Sequence, residues 1–149
     1  MRITFFLILT TLFNTLFADS LILPMRERAV AIDQIIDERI ATVLPGLMER
    51  SDIDIWIVIS REYNEDPIIK TFLPSTWQTA RRRTILLISN PGKDQPLETL
   101  AVARYAVGDT FEKAWDKELH GDQWQRLAQL IEERDPKRIG INYSDTFAL

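Results

Sequence analysis

The chain has 149 residues, of which 46% are hydrophobic and 27% charged, and its formal net charge is −4. This balance is typical of one globular domain and excludes a disordered chain, while the acidic charge argues against a general affinity for nucleic acid or anionic lipid. The sequence contains no cysteine, which excludes a disulfide scaffold, thiol chemistry and any zinc site that needs sulfur.

The N-terminal segment has the layout of a secretory signal peptide. A basic Arg2 precedes an apolar run from Ile3 to Phe17, and the small residue Ala18 suits the position just before a cleavage site. The alternative is a membrane anchor, but the run is shorter than the ~20 apolar residues that a spanning helix needs. We therefore predict that residues 1–18 are removed and that no stable membrane span remains. The predicted location is outside the cytoplasm, in the periplasm.

The mature chain is predicted to begin with a long amphipathic helix. Pro24 suits the first helical position, and apolar residues recur every three or four positions through residues 25–47. The proline–glycine pair at 45–46 predicts a kink or a restart of this helix. The apolar, β-branched segment 53–60 then predicts a central strand that is covered on both faces.

The rest of the chain alternates strand and helix signals. Five elements are predicted: strands at 84–89 and 97–107 that form a hairpin-like pair, a short helix at 110–119, a helix capped at 121–122 that ends at 135–136, and a strand at 138–143. This order predicts the α/β class, with a mixed β-sheet flanked by helices in one domain over residues 19–143. Ser144 or Asp145 would cap a helix that begins within residues 144–149.

The titratable residues give no catalytic or metal-binding set. His120 is the only histidine, too few for a histidine-based zinc site, and we expect it to lie exposed near a helix end. Glu62, Glu65 and Asp66 follow the buried strand and could bind a hard cation, but their spacing lacks the alternation and the glycine of a calcium loop. A solvated turn that ends at Pro67 is predicted instead.

Three consecutive arginines, Arg81 to Arg83, precede the second strand. Such a cluster can bind phosphate or carboxylate through bidentate hydrogen bonds. Because side chains in a strand alternate between faces, we predict that the three do not converge on one ligand. We expect at least one of them to pair with the acids of residues 61–67. The net charge of −4 disfavours nucleic-acid binding through this cluster.

The four tryptophans receive different predictions. Trp56 and Trp124 occur in periodic apolar patterns and are predicted to lie in the core. Trp77 lies between two strands, where it is either an interface anchor or a cover for the local core. Trp115 fits either environment. Taken together, the residues of this sequence show no nucleophile–base pair, metal cluster or phosphate loop.

Six stretches of the mature chain carry a family resemblance. They are MRERAVAIDQIIDERIATVLPGLM, DIDIWIVISREYNEDPIIKTFLPSTWQTARRRTILL, LAVARYAVG, AWDKE, DQWQRLAQLIEERDPKRIGIN and SDTFAL. In this order they resemble the N-terminal domain of exported Xaa-Pro aminopeptidase-like metallopeptidases, in the creatinase, prolidase and methionine aminopeptidase group. The combination covers essentially all of the mature chain, although no single stretch is diagnostic.

The resemblance implies a non-catalytic α/β domain that precedes a larger catalytic domain of the pita-bread fold. Two divalent metal ions, manganese, cobalt or zinc, would be held in that second domain by two aspartates, a histidine and two glutamates. Those motifs have no matching positions here, so no catalytic residue, metal residue or cofactor is assigned to this chain. The helix begun at Ser144 would then be a truncated connection to the absent catalytic domain.

Two functional hypotheses follow. In the first, the chain is the accessory domain of a peptidase that cleaves peptides with proline second, and Tyr63, Glu65, Trp77 and Arg82 contribute to substrate access or subunit contacts. Its partners would be the missing C-terminal catalytic domain, a second copy in a homo-oligomer and the peptide substrate. In the second, the chain is a stand-alone exported module for protein binding or oligomerisation without enzymatic activity.

Overall fold

The computed structural model describes residues 22–92 and 95–147 of the chain. The predicted signal peptide, residues 1–18, therefore lies outside the described residues. Within them, no helix combines the length and the apolar character that crossing a membrane requires.

The long helix predicted near the start is present, but its turns are not uniform. Helix α1 spans Met25–Glu38, a five-residue π-helix spans Arg39–Val43, and helix α2 spans Leu44–Ser51. Pro45 lies in the first turn of α2, where a missing backbone N–H costs least. The predicted restart at this proline is confirmed, and the π-helix marks the point at which the hydrogen-bond pattern changes.

The side of this helix that packs on the sheet is defined by steps of four residues. Its buried residues are Ile36, Ile40, Leu44 and Met48. A step of four suits the π-helix, whose turns contain more residues than those of an α-helix. The burial predicted for the apolar face is therefore confirmed at Ile36 and Ile40 and wrong on either side of them. The exposed members of that face are Met25, Ile32, Val43 and Leu47.

A mixed five-stranded sheet forms the middle of the structure, with the strand order β4-β3-β2-β1-β5. The strands are β1 at Ile55–Arg61, β2 at Arg83–Ser89, β3 at Glu98–Val102, β4 at Glu112–Lys113 and β5 at Ile139–Ile141. The pairs β1–β2 and β2–β3 are antiparallel, whereas β3–β4 and β1–β5 are parallel. The predicted α/β class with a mixed sheet and helices is thereby confirmed.

The alternation of side chains along β1 and β2 divides the core into two clusters. Val58 and Leu86 belong to the cluster beneath α1 and α2, while Ile57 and Leu87 belong to a second cluster on the other face. Helix α4, at Gln123–Glu132, packs on that second face. Both faces of the central strands are covered, as the sequence predicts.

The region between β3 and α4 departs from the prediction. The third strand ends at Val102, and the helix predicted over 110–119 is wrong except for the short helix α3 at Lys117–His120. Phe111 and Trp115 are both buried, but they belong to the two different core clusters. A helix would place residues four apart on one face, and so would a regular strand. The two side chains reach different clusters because the chain is irregular over residues 114–116, between β4 and α3.

The last described segment contains a capping hydroxyl without the predicted helical turn. Ser144 Oγ accepts hydrogen bonds from the backbone N–H groups of Thr146 and Phe147, both at 3.1 Å. Asp145 instead accepts from the hydroxyl of Tyr143. Residues 144–147 are irregular, so the structure supports the cap predicted at Ser144 but shows no helix up to residue 147.

The cap of α4 provides a test of the fold. Asp122 Oδ1 accepts from the backbone N–H groups of Trp124 at 2.9 Å and Gln125 at 3.1 Å. Because alanine leaves these donors without that partner, we expect Asp122→Ala to lower the free energy of unfolding by about 1 kcal/mol. Asp122→Asn keeps an acceptor and should lose much less. Urea unfolding of the three proteins measures the difference, and equal losses in both variants would contradict the capping role.

Candidate functional site

An open cavity of about 580 Å³ lies where the β1–β2 ladder ends. Six of the residues that line it carry its charge and one of its aromatic rings: Glu62, Arg81, Arg82, Arg83, Arg104 and Tyr105. We refer to it as the arginine–aromatic cavity. Its volume falls within the range of roughly 300–1,000 Å³ that is usual for ligand sites.

A reciprocal pair of hydrogen bonds fixes the wall between β1 and β2. The backbone N–H of Glu62 donates to the carbonyl of Arg82 at 2.6 Å, and the N–H of Arg82 donates to Glu62 Oε2 at 3.0 Å. Arg82 has a φ of +54°, so it lies in the left-handed region and outside the regular strand. The alternation assumed from the sequence therefore fails, and Arg81, Arg82 and Arg83 all line the same cavity.

Aromatic rings hold two of these guanidinium groups. The Arg81 guanidinium lies 4.2 Å from the centre of the Trp77 ring and 5.7 Å from that of Tyr105. The Arg83 guanidinium lies 5.0 Å from the ring centre of Trp124. These distances are those of cation–π contacts, which restrict the side chains while leaving their charge.

Trp124 corrects a prediction. It is 40% exposed and lies beside Arg83, whereas the sequence pattern placed it in the core. The inward position at the start of α4 is taken by Gln123, which is only 7% exposed. Its Nε2 donates to the carbonyls of Val102 at 2.6 Å and Arg83 at 3.2 Å, and so ties α4 to β3 and β2. Gln123 also lines the cavity.

The positive charge of the cavity is not balanced by nearby acids. Four arginines line it against the single carboxylate of Glu62. No described carboxylate forms an ion pair with any of the four. The ion pairs among the described residues involve other basic side chains. The predicted pairing of an arginine with the acids of residues 61–67 is therefore wrong for the guanidinium groups. Glu62 binds the backbone of Arg82 instead.

The structure separates the four residues proposed from the sequence. Arg82 lines the cavity, and Trp77 contacts it through Arg81. Tyr63 follows Glu62 but is not part of the wall; it is 94% exposed with a φ of +70°. Glu65 is half-buried and also lies outside the wall.

Sequence reasoning overlooked Arg104 and Tyr105. They follow β3, and β3 runs antiparallel to β2, with Val102 paired to Ile85. Residues just after β3 must therefore lie beside those just before β2, which are the arginines. The hairpin-like pairing predicted from the sequence contained this signal, because it brings Arg104 towards Arg83.

The remaining polar candidates have structural partners. His120 is half-buried and its Nδ1 accepts from the backbone N–H of Asp116 at 2.9 Å, so its predicted exposure is wrong. The hydrogen bond from Lys113 lowers the pKa of the Asp116 carboxyl. Asp66 caps the 3₁₀ helix Pro67–Thr71 by accepting from Ile68 N–H. Across residues 22–92 and 95–147, no group of three acidic or histidine side chains is placed to hold a metal ion.

A second surface, the apolar groove, lies along the junction of α1 and α2. It encloses about 400 Å³, and the residues that give it its character are Ile35, Val43, Leu44, Leu47, Trp56 and Phe72. Trp56 is half-buried against the core, and its Nε1 donates to Asn142 Oδ1 at 2.8 Å. The predicted core position of Trp56 is thus only partly correct. Ile35, Val43 and Leu47 are exposed on the rim.

Comparisons with protein-family models, curated proteins and solved structures found no match to this chain. Fold and site define the class of protein: an α/β domain that carries one basic, aromatic-lined cavity and one apolar groove.

The backbone of Tyr63 yields a prediction. A side chain in the left-handed region costs roughly 1–2 kcal/mol, a cost that glycine avoids. We expect Tyr63→Gly to raise the free energy of unfolding by about 1 kcal/mol relative to Tyr63→Ala, which keeps the strain without the exposed ring. Urea unfolding of both variants provides the measurement. If the alanine variant is as stable as the glycine variant, the strain is absent.

Proposed function

We propose that this chain is the non-catalytic N-terminal domain of an exported Xaa-Pro aminopeptidase-like metallopeptidase. The ordered sequence resemblance supports this proposal, as does the α/β class with a mixed sheet and helices. In this proposal residues 1–18 direct export and are removed. A pita-bread domain outside this sequence supplies the catalytic site, where two divalent metal ions would activate water and polarise the scissile carbonyl.

The observation that carries the proposed role is the arginine–aromatic cavity. Arg82 lines it and Trp77 holds Arg81 beside it, so two of the four residues suggested by the sequence meet at one surface. Guanidinium groups donate to peptide carbonyls and carboxylates, and exposed rings can pack against a prolyl ring. The chain would therefore bind and orient peptide at the substrate entrance and leave the chemistry to the other domain.

The natural product provides the test. We expect an antibody raised against this chain to isolate, from the periplasm of its native cells, a protein larger than the chain's 17.3 kDa. That product should contain divalent metal and cleave an Ala-Pro peptide. Intact mass, metal analysis and cleavage are measured on the same sample.

Two results would contradict the proposal. One is a natural product no larger than the chain itself. The other is a larger product that does not cleave Ala-Pro peptides when supplied with manganese, cobalt or zinc. The same sample before and after chelation serves as the control for metal dependence.

The second candidate function is a stand-alone exported module that associates with a second copy of itself. The apolar groove favours it, because Ile35, Val43 and Leu47 expose apolar surface along one helix junction. Burial of such surface is worth roughly 25 cal/mol for each Å² removed from water. A charge in the groove would oppose that burial.

We expect Leu47→Glu to convert a dimer into a monomer if this second function applies. Glu49→Gln lies on the same helix but outside the groove lining and serves as the matched control. Sedimentation velocity at several protein concentrations measures the association. A monomeric unsubstituted chain, or a dimer that survives the glutamate, would exclude self-association through the groove.

A further inference from the structure

The arginine–aromatic cavity is built to receive negative charge. Four guanidinium groups share its wall with one carboxylate, although the chain as a whole carries a net charge of −4. The overall composition is acidic, so it does not account for an excess of positive charge in this cavity. It concentrates anions at this surface and repels cations.

The acid on the wall is already used by the backbone. Glu62 Oε2 accepts from the N–H of Arg82, and Glu62 N–H donates to the carbonyl of the same residue. These two hydrogen bonds hold the backbone of Arg82 in the left-handed conformation, and with this backbone Arg82 lines the cavity. Glu62 is therefore a positioning residue for Arg82 and leaves the guanidinium without a described anionic partner.

Two of the four guanidinium groups, those of Arg81 and Arg83, are preorganised by aromatic rings. Arg81 contacts the rings of Trp77 and Tyr105, and Arg83 lies over the ring of Trp124. A guanidinium that contacts a ring keeps several N–H donors, which point away in its own plane. The contacts with the rings already restrict these side chains in the free protein. A ligand that binds them therefore pays less conformational entropy for ordering them.

The aromatic rings favour an organic anion over an inorganic one. Tyr105 is 53% exposed, and Trp124 is also exposed, so both rings offer apolar area next to the donors. An inorganic phosphate would use the donors but not the rings. A short peptide with acidic side chains would use both, since its carboxylates match the planar guanidinium fork and its aliphatic carbons pack on the rings.

We propose that the arginine–aromatic cavity binds the carboxylates of acidic peptides. This deepens the proposed function, on which it rests for its biological setting: the domain would favour substrates that carry Asp or Glu after the proline. The binding itself belongs to this chain and requires no catalytic domain. It can therefore be measured without any peptidase activity.

The experiment is calorimetric titration of the purified chain with two peptides. The probes are Ala-Pro-Glu-Glu-Glu and Ala-Pro-Gln-Gln-Gln, both with C-terminal amides, which match in length and shape and differ in charge. We expect saturable 1:1 binding of the glutamate peptide, at least ten times tighter than that of the glutamine peptide. The affinity should fall as salt rises, because screening weakens exposed charge pairs.

Variants locate the binding. Arg104→Gln and Arg82→Asn should each weaken the glutamate peptide about tenfold, equivalent to about 1.4 kcal/mol. Asparagine is chosen because it tolerates the left-handed backbone at this position. Arg26→Gln, on the exposed surface of α1, removes the same charge far along the chain and should leave the affinity unchanged.

Glu62→Gln gives a test in the opposite direction. The glutamine oxygen can still accept from the N–H of Arg82, while the one carboxylate found among the described residues of the wall is lost. We expect tighter binding of the glutamate peptide. Thermal melts of all four variants establish that each remains folded before its affinity is compared.

Three outcomes would overturn the inference. The first is equal affinity for the two peptides. The second is an equal loss of affinity in Arg26→Gln and Arg104→Gln, which would indicate attraction by overall charge. The third is pyrophosphate bound more tightly than the glutamate peptide at the same ionic strength, which would assign the cavity to phosphate. None of these depends on whether the natural product is a peptidase, so the two proposals can fail separately.

Discussion

The antiparallel pairing of β1 with β2 is the interaction on which the rest of the structure depends. Its register runs from Ile55 opposite Ser89 to Arg61 opposite Arg83. Ten of the fourteen residues in the two strands are buried, and the apolar ones among them lie alternately in one core cluster or the other. A slip of one residue would exchange the two faces, so the packing on both sides fixes the register. The position of the arginines follows from this register, because the ladder ends where they begin.

The sequence pattern correctly predicts those elements that depend mainly on neighbouring residues. The apolar run at β1, the strand at β2 and the aspartate that caps α4 are all present at the predicted places. The α/β class follows from their order alone. Pro45 likewise marks the restart of the first helix, although the sequence does not reveal that the change takes the form of a π-helix.

The failures have a shared physical cause, which is pairing between distant segments. The segment around Phe111 forms β4 because Glu112 and Lys113 pair with β3, and helix propensity cannot anticipate that partner. Trp124 is exposed because Gln123 bonds to β2 and β3 and takes the inward position. The arginines converge because the left-handed Arg82 interrupts the alternation of the strand, and its backbone is hydrogen-bonded to Glu62, on the segment that follows β1.

The acids that follow β1 show why charge alone does not indicate a ligand site. Asp66 accepts from Ile68 N–H through one oxygen and from Asn142 Nδ2 through the other, at 2.9 and 2.8 Å. Asn142 in turn accepts from the indole N–H of Trp56 at 2.8 Å. This chain of bonds holds the end of β5 and Trp56 in the apolar groove, so each carboxylate oxygen of Asp66 already has a partner within the fold. The guanidinium groups of the cavity differ in this respect, since their donors meet rings and solvent rather than a described acid, and a ligand that supplies carboxylates would give them partners that the fold leaves out.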